Sequence, residues 1–455
     1  MKKTIAALAA LLLLCVSVSA KEYTSGSFVI SDGEKAPIPE AYTFLSGISV
    51  LSDGTALKAP GDVFVKDGEI FIADTGNNRV VKISAAGELL AQYTLEEYGG
   101  LNAPEGIFIL ETGDIYIADT ENKRIVRLDA AGEFIEEYGK PSSDLIEADL
   151  VFAPSRIAVD GNGLIYVLCK TKLQGLFTMN AENEFKGYVG GNEVGFSLTD
   201  MLVRMFGSAE QKKKIVRRSP PAAAGFAQSG EYIYTVVNHN NETVINKFNS
   251  IGKNLYRTKP SNMILAEEFT DIDESAGIIT AIDGKTCNVY QFDQEGNLLC
   301  VFGSKGEGKE QFSLPSAVAS DGNGNVYVLD SVKNSLRIFQ PNTFMKTVHE
   351  ACVLYNDGLY ESSKSMWEEV LKMNESYSLA YNGIAEALYC EGRYEEAMEA
   401  FYNSGNREGY SKSFDDYRHG IFRRNFTLAA VSIAAVCTAV ILIMLRIKKY
   451  AYRKY

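Results

Sequence analysis

The side chains best suited to chemistry lie at the starts of six apolar segments that recur along the sequence. When the segments are aligned, their opening positions are Gly61, Glu105, Ser155, Ala223, Glu268 and Ser316. The two glutamates belong to the second and fifth segments. A closed ring of six would therefore place them opposite each other, where two carboxylates could bind a cation or a sugar hydroxyl. Asp62 and Arg156 lie one residue deeper and are candidates for the same site. The alternative is that all four side chains line a water-filled channel.

Other catalytic chemistries find little support in the sequence. The chain has only three histidines, His239, His349 and His419, which are too few for a histidine-rich zinc site. It contains no Gly-x-Ser-x-Gly motif, no phosphate-binding loop and no cysteine–histidine pair. We therefore predict no bound metal and no cofactor.

A basic cluster between the third and fourth segments is the best candidate for a docking element. Residues 196–221 lengthen the spacing there, and apolar residues recur at the spacing of an amphipathic helix. The basic residues that follow are Lys212, Lys213, Lys214, Arg217 and Arg218. In an acidic chain this cluster would suit an acidic partner, and the alternative is a solvated surface loop.

The elements that position these residues are antiparallel β units. One phrase occurs as IADTGNNRVVKI at 72–83 and IADTENKRIVRL at 117–128, with a weaker copy at 328–339. Each copy has β-branched and aromatic residues around a polar turn, which predicts two strands joined by that turn. Six such units must stack around an axis to bury their apolar faces. We therefore predict a mainly β fold with a six-bladed β-propeller, in which residues 42–50 supply the outer strand of the last blade.

The polar turns of these units could bind a ligand, but a structural role is favoured. The residues concerned are Asp74, Asn77, Asn78 and Arg79 in one turn, and Asp119, Asn122 and Arg124 in the next. Aspartate accepts hydrogen bonds from turn amides and asparagine tolerates the left-handed region. The arginines are expected to reach a carboxylate of the neighbouring blade.

The recurring motif resembles the NHL-repeat family. It reads Pro-x-Gly-Ile and then Gly-x-Ile-Tyr-Ile-Ala-Asp-Thr-x-Asn-x-Arg-Ile. The resemblance implies a six-bladed NHL propeller over residues 21–345. It is clearest in blades one, two and six, whereas Lys170 replaces the turn aspartate in blade three.

A second repeat follows the propeller. A Gly-x-Tyr corner at Gly358 recurs at Gly392, and each is followed by a large aromatic residue, at the spacing of about 34 residues that is typical of tetratricopeptide repeats. Residues 346–426 therefore resemble a short tetratricopeptide-like helical region. Its last part, from Tyr410 to Phe426, is expected to form a capping helix.

The two ends of the chain indicate export and membrane insertion. Residues 1–20 have a basic start, an apolar run and a small-residue end, which predicts a cleaved signal peptide. Thr427–Leu445 is uncharged and long enough to cross a membrane, and residues 446–455 form a basic tail. We expect a single-pass protein of the cell membrane with its ectodomain outside and the short tail in the cytoplasm. The formal net charge of −13 argues against a nucleic-acid partner.

These features predict a membrane-tethered extracellular interaction scaffold or sensor. It would contact the membrane through Thr427–Leu445 and bind a protein or glycan on one propeller face, in an accessory role to a surface transport or cell-envelope system. The order of NHL ring, short helical repeats and membrane helix is similar to a bacterial surface family loosely labelled gluconolactonase-like. That resemblance implies the alternative function, a carbohydrate-directed, metal-dependent propeller hydrolase.

Overall fold

The computed structural model describes residues 26–31, 34–146, 149–171, 175–190, 222–239, 242–256 and 266–452. The signal peptide expected at 1–20 and the insertion expected at 196–221 lie outside these residues, so both stay predictions. The chain divides into two compact units, Met1–Val353 and Leu354–Tyr455.

The first unit is built from short, mostly antiparallel β-strands. It starts with β1 (Phe28–Ser31), β2 (Glu34–Pro37) and β3 (Tyr42–Ile48). Blade one contains β4 (Asp62–Lys66), β5 (Glu69–Asp74), β6 (Arg79–Ile83) and β7 (Leu89–Tyr93). Blade two contains β8 (Pro104–Ile109), β9 (Ile115–Asp119), β10 (Arg124–Leu128) and β11 (Phe134–Tyr138). Blade three contains β12 (Pro154–Val159), β13 (Ile165–Cys169), β14 (Leu176–Met179) and β15 (Phe185–Val189).

The other three blades continue this order. Blade four contains β16 (Ala223–Ser229), β17 (Tyr232–His239) and β18 (Glu242–Phe248) among its described residues. Blade five contains β19 (Phe269–Ser275), β20 (Ile278–Asp283), β21 (Val289–Phe292) and β22 (Leu298–Phe302). A small parallel pair follows, β23 (Ser304–Lys305) and β24 (Gln311–Phe312). Blade six contains β25 (Pro315–Ser320), β26 (Val326–Asp330) and β27 (Ser335–Pro341) together with β3.

The burial of each strand follows its place in the ring. In β5 the residues Ile70, Phe71, Ile72 and Ala73 are all buried, because this strand is covered by neighbouring blades on both faces. In the outer strand β7 half-buried residues alternate with exposed ones, as expected for a strand with one solvated face. The first strand of each blade contacts that of the next, and β25 contacts β4. The ring is therefore closed, and the prediction of a six-bladed propeller is confirmed.

The ring closes where its two chain ends meet. Strand β3 pairs antiparallel with β27, from Tyr42 opposite Pro341 to Ile48 opposite Leu336. This confirms the prediction that the segment beginning at Tyr42 supplies the outer strand of the last blade. Each end of the propeller sequence therefore holds the other in place.

The hairpin formed by β1 and β2 was not expected. Strand β1 extends the sheet of blade five beyond β22, with Phe28 opposite Val301. The two strands, FVIS and EKAP, are too short to show a clear two-residue period in the sequence.

Five helices follow the propeller. They are α1 (Thr343–Asn356), α2 (Tyr360–Met373), α3 (Ser378–Cys390), α4 (Tyr394–Asn403) and α5 (Arg407–Tyr452). In the second unit, a Cβ atom at Gly383 would overlap the ring of Trp367, and one at Gly409 would overlap the ring of Phe401. These two glycines therefore allow the helices to pack closely around the aromatic side chains.

Helix α5 contains both the expected capping helix and the expected membrane span. The sequence suggested two separate segments, but residues 407–452 contain no proline and the helix runs on without a break. This helix is long and apolar enough to cross a membrane.

Candidate functional site

The strand register corrects the alignment of the blade openings. In blade two, Pro104 lies opposite Asp119 and Gly106 opposite Ala118, so Glu105 is left over in a bulge. The bulge recurs at Ser155, Ala224, Thr270 and Ser316. The sequence alignment had placed Ala223 one residue early and Glu268 two residues early. It failed there because blades four and five lack the proline that marks this strand start elsewhere.

The two glutamates therefore have different surroundings. The carboxylate of Glu105 forms an ion pair with the Lys170 ammonium of blade three, and about a fifth of the Glu105 side chain is exposed. Glu268 lies before β19, is exposed, and its carbonyl oxygen accepts a hydrogen bond from the Gly284 amide at 3.0 Å. Lys170, which departs from the repeat motif, thus supplies the positive charge that balances Glu105.

Arg156 lies at the ring axis and donates hydrogen bonds to carbonyl oxygens of four blades, its own included. One terminal nitrogen donates to the carbonyl oxygens of Glu105 at 2.8 Å and Ser155 at 3.1 Å. The other donates to the carbonyl oxygens of Gly61 at 3.0 Å and Ser316 at 3.2 Å. These carbonyls belong to blades two, three, one and six, so the guanidinium links four blades at the ring axis.

Two buried aspartates accompany Arg156. Its Nε atom lies 3.6 Å from Asp62 Oδ1 and 3.7 Å from Asp271 Oδ1. The second oxygen of Asp62 accepts the Ile107 amide at 2.9 Å, and that of Asp271 accepts the Val318 amide at 3.0 Å. Alternate blades one, three and five thus supply the charges of this axial cluster, which we define as Asp62, Arg156 and Asp271.

Sequence reasoning named Asp62 and Arg156 but missed Asp271. In the observed register Asp62 and Asp271 occupy the same position of their first strands, opposite Ala73 and Ile282. Correct alignment of blade five would have revealed the pair. Because Glu268 was aligned with the bulge position instead of Thr270, Asp271 was not recognised as the equivalent of Asp62.

Burial alters the acidity of these carboxyl groups. It raises the pKa of Asp62 from 3.8 to about 7, against the opposing effect of the Arg156 charge, and it also raises the pKa of Asp271. Two residues further along β19, burial raises the pKa of Asp273 to about 7, and this carboxylate accepts the Ser320 amide at 2.6 Å. A carboxyl group with a pKa near 7 could serve as a general acid or base, but here the oxygens are bonded to amides of the adjacent blade.

Close contact between inner strands fixes the axial cluster. A Cβ atom at Gly106 would lie 2.7 Å from the Ser155 carbonyl oxygen and 2.9 Å from Arg156 Cα. A Cβ atom at Gly225 would lie 2.8 Å from Asp271 Cα. Glycine at these two positions lets the neighbouring strands carry the charged side chains to the axis.

The polar turns of the repeat hold their own blade and the next one together. Asp74 accepts the Lys58 amide at 2.7 Å and the Arg79 Nε at 2.7 Å, so the arginine binds within its own turn rather than the neighbouring blade, contrary to expectation. Contacts between blades come from Asn78, which has φ 55° and accepts the Ala103 amide at 2.8 Å, and from Thr75, whose hydroxyl donates to the Pro104 carbonyl at 2.6 Å. The second turn repeats the bonds within the turn, since Asn122 and Arg124 donate to Asp119, and Thr120 donates to the Pro154 carbonyl of the next blade at 2.7 Å. These contacts support a structural role for the turns.

We call the propeller surface that bears these turns the Asp-turn face. It carries the turns between the second and third strands of the blades, including those after Asp74, Asp119, Asp283 and Asp330. The connections from each outer strand to the next blade open on the same face because the strands alternate in direction. The docking candidates Lys212, Lys213, Lys214, Arg217 and Arg218 belong to such a connection but lie outside the described residues.

Among the residues that the structure describes, no group of three or more histidine, cysteine, aspartate or glutamate side chains is arranged to hold a metal ion. The three carboxyl groups near the axis accept amide hydrogen bonds from β8 and β25 instead.

Comparison with known proteins does not assign the chain to a family. No protein-family model and no curated protein matches the chain. Among solved structures, a streptogramin B lyase is 16% identical over 71% of this chain and 95% of its own, with a TM-score of 0.41. A catalytically inactive virginiamycin B lyase from Staphylococcus aureus with quinupristin is 13% identical over 62% of this chain and 80% of its own, with a TM-score of 0.40. The WD40 propeller domain of Doa1 is 11% identical over 66% of this chain and 97% of its own, with a TM-score of 0.41. At these identities and TM-scores the likeness says nothing about activity.

Proposed function

We propose that this protein is a membrane-anchored scaffold or sensor whose propeller binds a protein or glycan outside the cell. The observation that carries the proposal is that the terminal nitrogens of Arg156 and the carboxylates of Asp62 and Asp271 are directed at other groups of the ring, while the Arg156 Nε atom, which has no hydrogen-bond partner among the described residues, is buried beside the two carboxylates. Arg156 is bonded to four carbonyl oxygens and lies between two carboxylates, and Glu105 is paired with Lys170. Polar groups that satisfy one another stabilise a rigid ring. A catalytic site needs such groups to be directed at a substrate.

The same observation weakens the alternative of a metal-dependent hydrolase. The carboxylates proposed as ligands at the channel mouth already have partners or, in the case of Glu268, lie before the strand that would direct them inward. A cation would have to displace Lys170 from Glu105 or Arg156 from Asp62. The resemblance to NHL rings, which the sequence motif suggests, agrees with a binding role.

The Asp-turn face is the surface we assign to the partner. Helix α1 leaves β27 at the opposite face, where its His349 packs on the turn at Gly324 and bonds to Gln291 Oε1 at 3.0 Å. The Asp-turn face carries exposed apolar side chains such as Val332, which is 61% exposed. Strand β15 ends and strand β16 begins at this face.

The face can be tested with a matched pair of substitutions. Val332 lies in a second-to-third strand turn, and Ile251, which is 83% exposed, lies in the turn that follows the third strand of blade four, at the other face. Val332→Asp is expected to weaken capture of protein or glycan from envelope extracts by the detergent-solubilised full chain, because it places a charge within the binding surface. Ile251→Asp should leave capture unchanged.

Both substitutions are on exposed positions and should alter the free energy of unfolding by no more than about 0.5 kcal/mol. Equal capture by both variants and the unmodified protein would remove the Asp-turn face from the proposal. A loss with Ile251→Asp alone would assign binding to the opposite face.

A further inference from the structure

Helix α5 carries a seam of residues at the spacing of a coiled coil. Successive steps of four and three residues follow one line along the helix. The residues of this seam are Phe414, Arg418, Ile421, Asn425, Leu428, Ser432, Ala435, Ala439 and Leu442. Phe414 is 44% exposed and Ile421 is 43% exposed, although both are large and apolar. Alternate members of this line, Phe414, Ile421, Leu428, Ala435 and Leu442, are apolar and recur every seven residues, a period that is typical of a helix that packs against another helix.

The rest of the second unit does not cover this seam. Its helices contact α5 through a different face, where Ser413 is buried, Asp416 accepts the Tyr389 hydroxyl and Gly409 fits against Phe401. At about 100° per residue, Ser413 and Asp416 point away from the line through Phe414 and Ile421. The seam is therefore free to meet a partner while the bundle stays intact.

Lipid could cover only part of the seam. Phe414 lies thirteen residues before Thr427, the first residue of the expected span, which is about 20 Å along a helix axis. In an upright helix, Phe414 and Ile421 therefore lie on the aqueous side of the membrane. A partner that covers these two side chains would therefore be protein.

We propose that α5 pairs in parallel with α5 of a second copy of this chain. In the coiled-coil pattern, Phe414, Ile421 and Leu428 take the apolar d positions, and Asn425 and Ser432 take a positions. Asparagine at an a position is characteristic of parallel two-stranded coiled coils, where it fixes the register. Copies inserted in one membrane with the same orientation present identical seams in parallel.

The same line remains suitable for pairing inside the expected span. Ser432, Ala435 and Ala439 are small, so two helices can approach closely there, and the Ser432 hydroxyl offers a polar contact in the membrane. At the aqueous end, Arg418 Nη2 donates a hydrogen bond to Asp415 Oδ1 at 2.9 Å. Arg418 occupies an a position, and a charge there lowers the stability of the helix pair at that end. We therefore expect the pairing to be strongest from Ile421 to Leu442.

Cysteine cross-linking of the full chain in its membrane tests this pairing. In a background with Cys390→Ser and Cys437→Ser, which removes the two exposed cysteines of the described residues, Ile421→Cys lies on the seam. Arg423→Cys lies two residues away, on the opposite side of the helix, and is the matched control. Under mild oxidation we expect most of the Ile421→Cys protein to become a covalent dimer and the Arg423→Cys protein to remain monomeric.

Three results would overturn the proposal. Equal cross-linking of both variants would indicate random collision, and no cross-linking of Ile421→Cys would show that the seams do not meet. Protection of an uncross-linked Ile421→Cys from a water-soluble thiol reagent would assign the cover to lipid or to another protein. Since both positions are exposed in the single chain, neither substitution removes a packed contact of the fold.

Discussion

Replacing Arg156 by methionine is expected to lower the free energy of unfolding of the propeller by about 3–5 kcal/mol at pH 8, because it leaves two buried carboxylates without their counter-charge. The change also removes the donors of four carbonyl oxygens from different blades. Thermal and denaturant unfolding of the detergent-solubilised full chain would measure the loss. The deficit should be smaller at pH 5, below the pKa of about 7 of Asp62, because protonation removes an unpaired buried charge.

Two further variants separate this effect from a general loss of charge. Lys186→Met removes an exposed ion pair with Glu184 and should leave unfolding almost unchanged. Adding Asp62→Asn and Asp271→Asn to Arg156→Met should recover part of the stability, because no unpaired charge remains. A stable Arg156→Met protein at pH 8 would show that the axial cluster does not hold the ring.

Replacing Asp273 by asparagine is expected to stabilise the propeller above neutral pH. Burial raises the pKa of this group from 3.8 to about 7, so the folded chain binds its proton more tightly than the unfolded chain does. Stability from this group is therefore present at low pH and is lost as pH rises from about 4 to about 7. At about 1.4 kcal/mol per pKa unit, the gain for asparagine at pH 8 could reach roughly 4 kcal/mol.

Asparagine can keep the hydrogen bond that the Ser320 amide donates to Asp273, so the geometry should survive. The measurement is the unfolding midpoint of the Asp273→Asn variant and of the unmodified protein from pH 5 to pH 9. The difference between the two midpoints should widen as pH rises and then level off. Asp67→Asn, an exposed turn residue with φ 51°, is the control and should give parallel curves. A destabilised Asp273→Asn protein at pH 8 would mean that its carboxylate is favourably ionised in the fold.

The repeat pattern predicted the architecture because its apolar positions are those that become buried in the blades. Phrases such as IADT at Ile72 and Ile117 pair a buried strand with an aspartate that binds the turn, and both functions depend on local sequence. Closure by β3 followed from counting the strands of the last blade. These features could be predicted because each depends on a period or a count.

The sequence identified two of the three residues of the axial cluster. Asp62 and Arg156 were identified, but Asp271 depended on the register of β19, which has no proline to mark its start. A role shared by alternate blades becomes apparent only when three distant segments are brought to one axis.

The turn arginines and α5 show a similar limit. The sequence indicated that Arg79 needs a carboxylate but not that Asp74, five residues earlier, would provide it instead of another blade. It also marked an apolar span and a preceding cap separately, because hydropathy changes sharply at Thr427 while helix propensity does not. Continuity of the backbone is a property that composition does not show.

The central claim, an exported propeller held at the membrane by α5, is tested most directly by protease treatment of intact cells that produce the full chain. The account predicts that added protease removes the propeller and leaves a small fragment containing Thr427 to Tyr455, which an antibody against the C-terminal tail would detect only after permeabilisation. Disrupted cells serve as the control for protease access. A propeller that stays intact on whole cells and is cut only after disruption would contradict the claim.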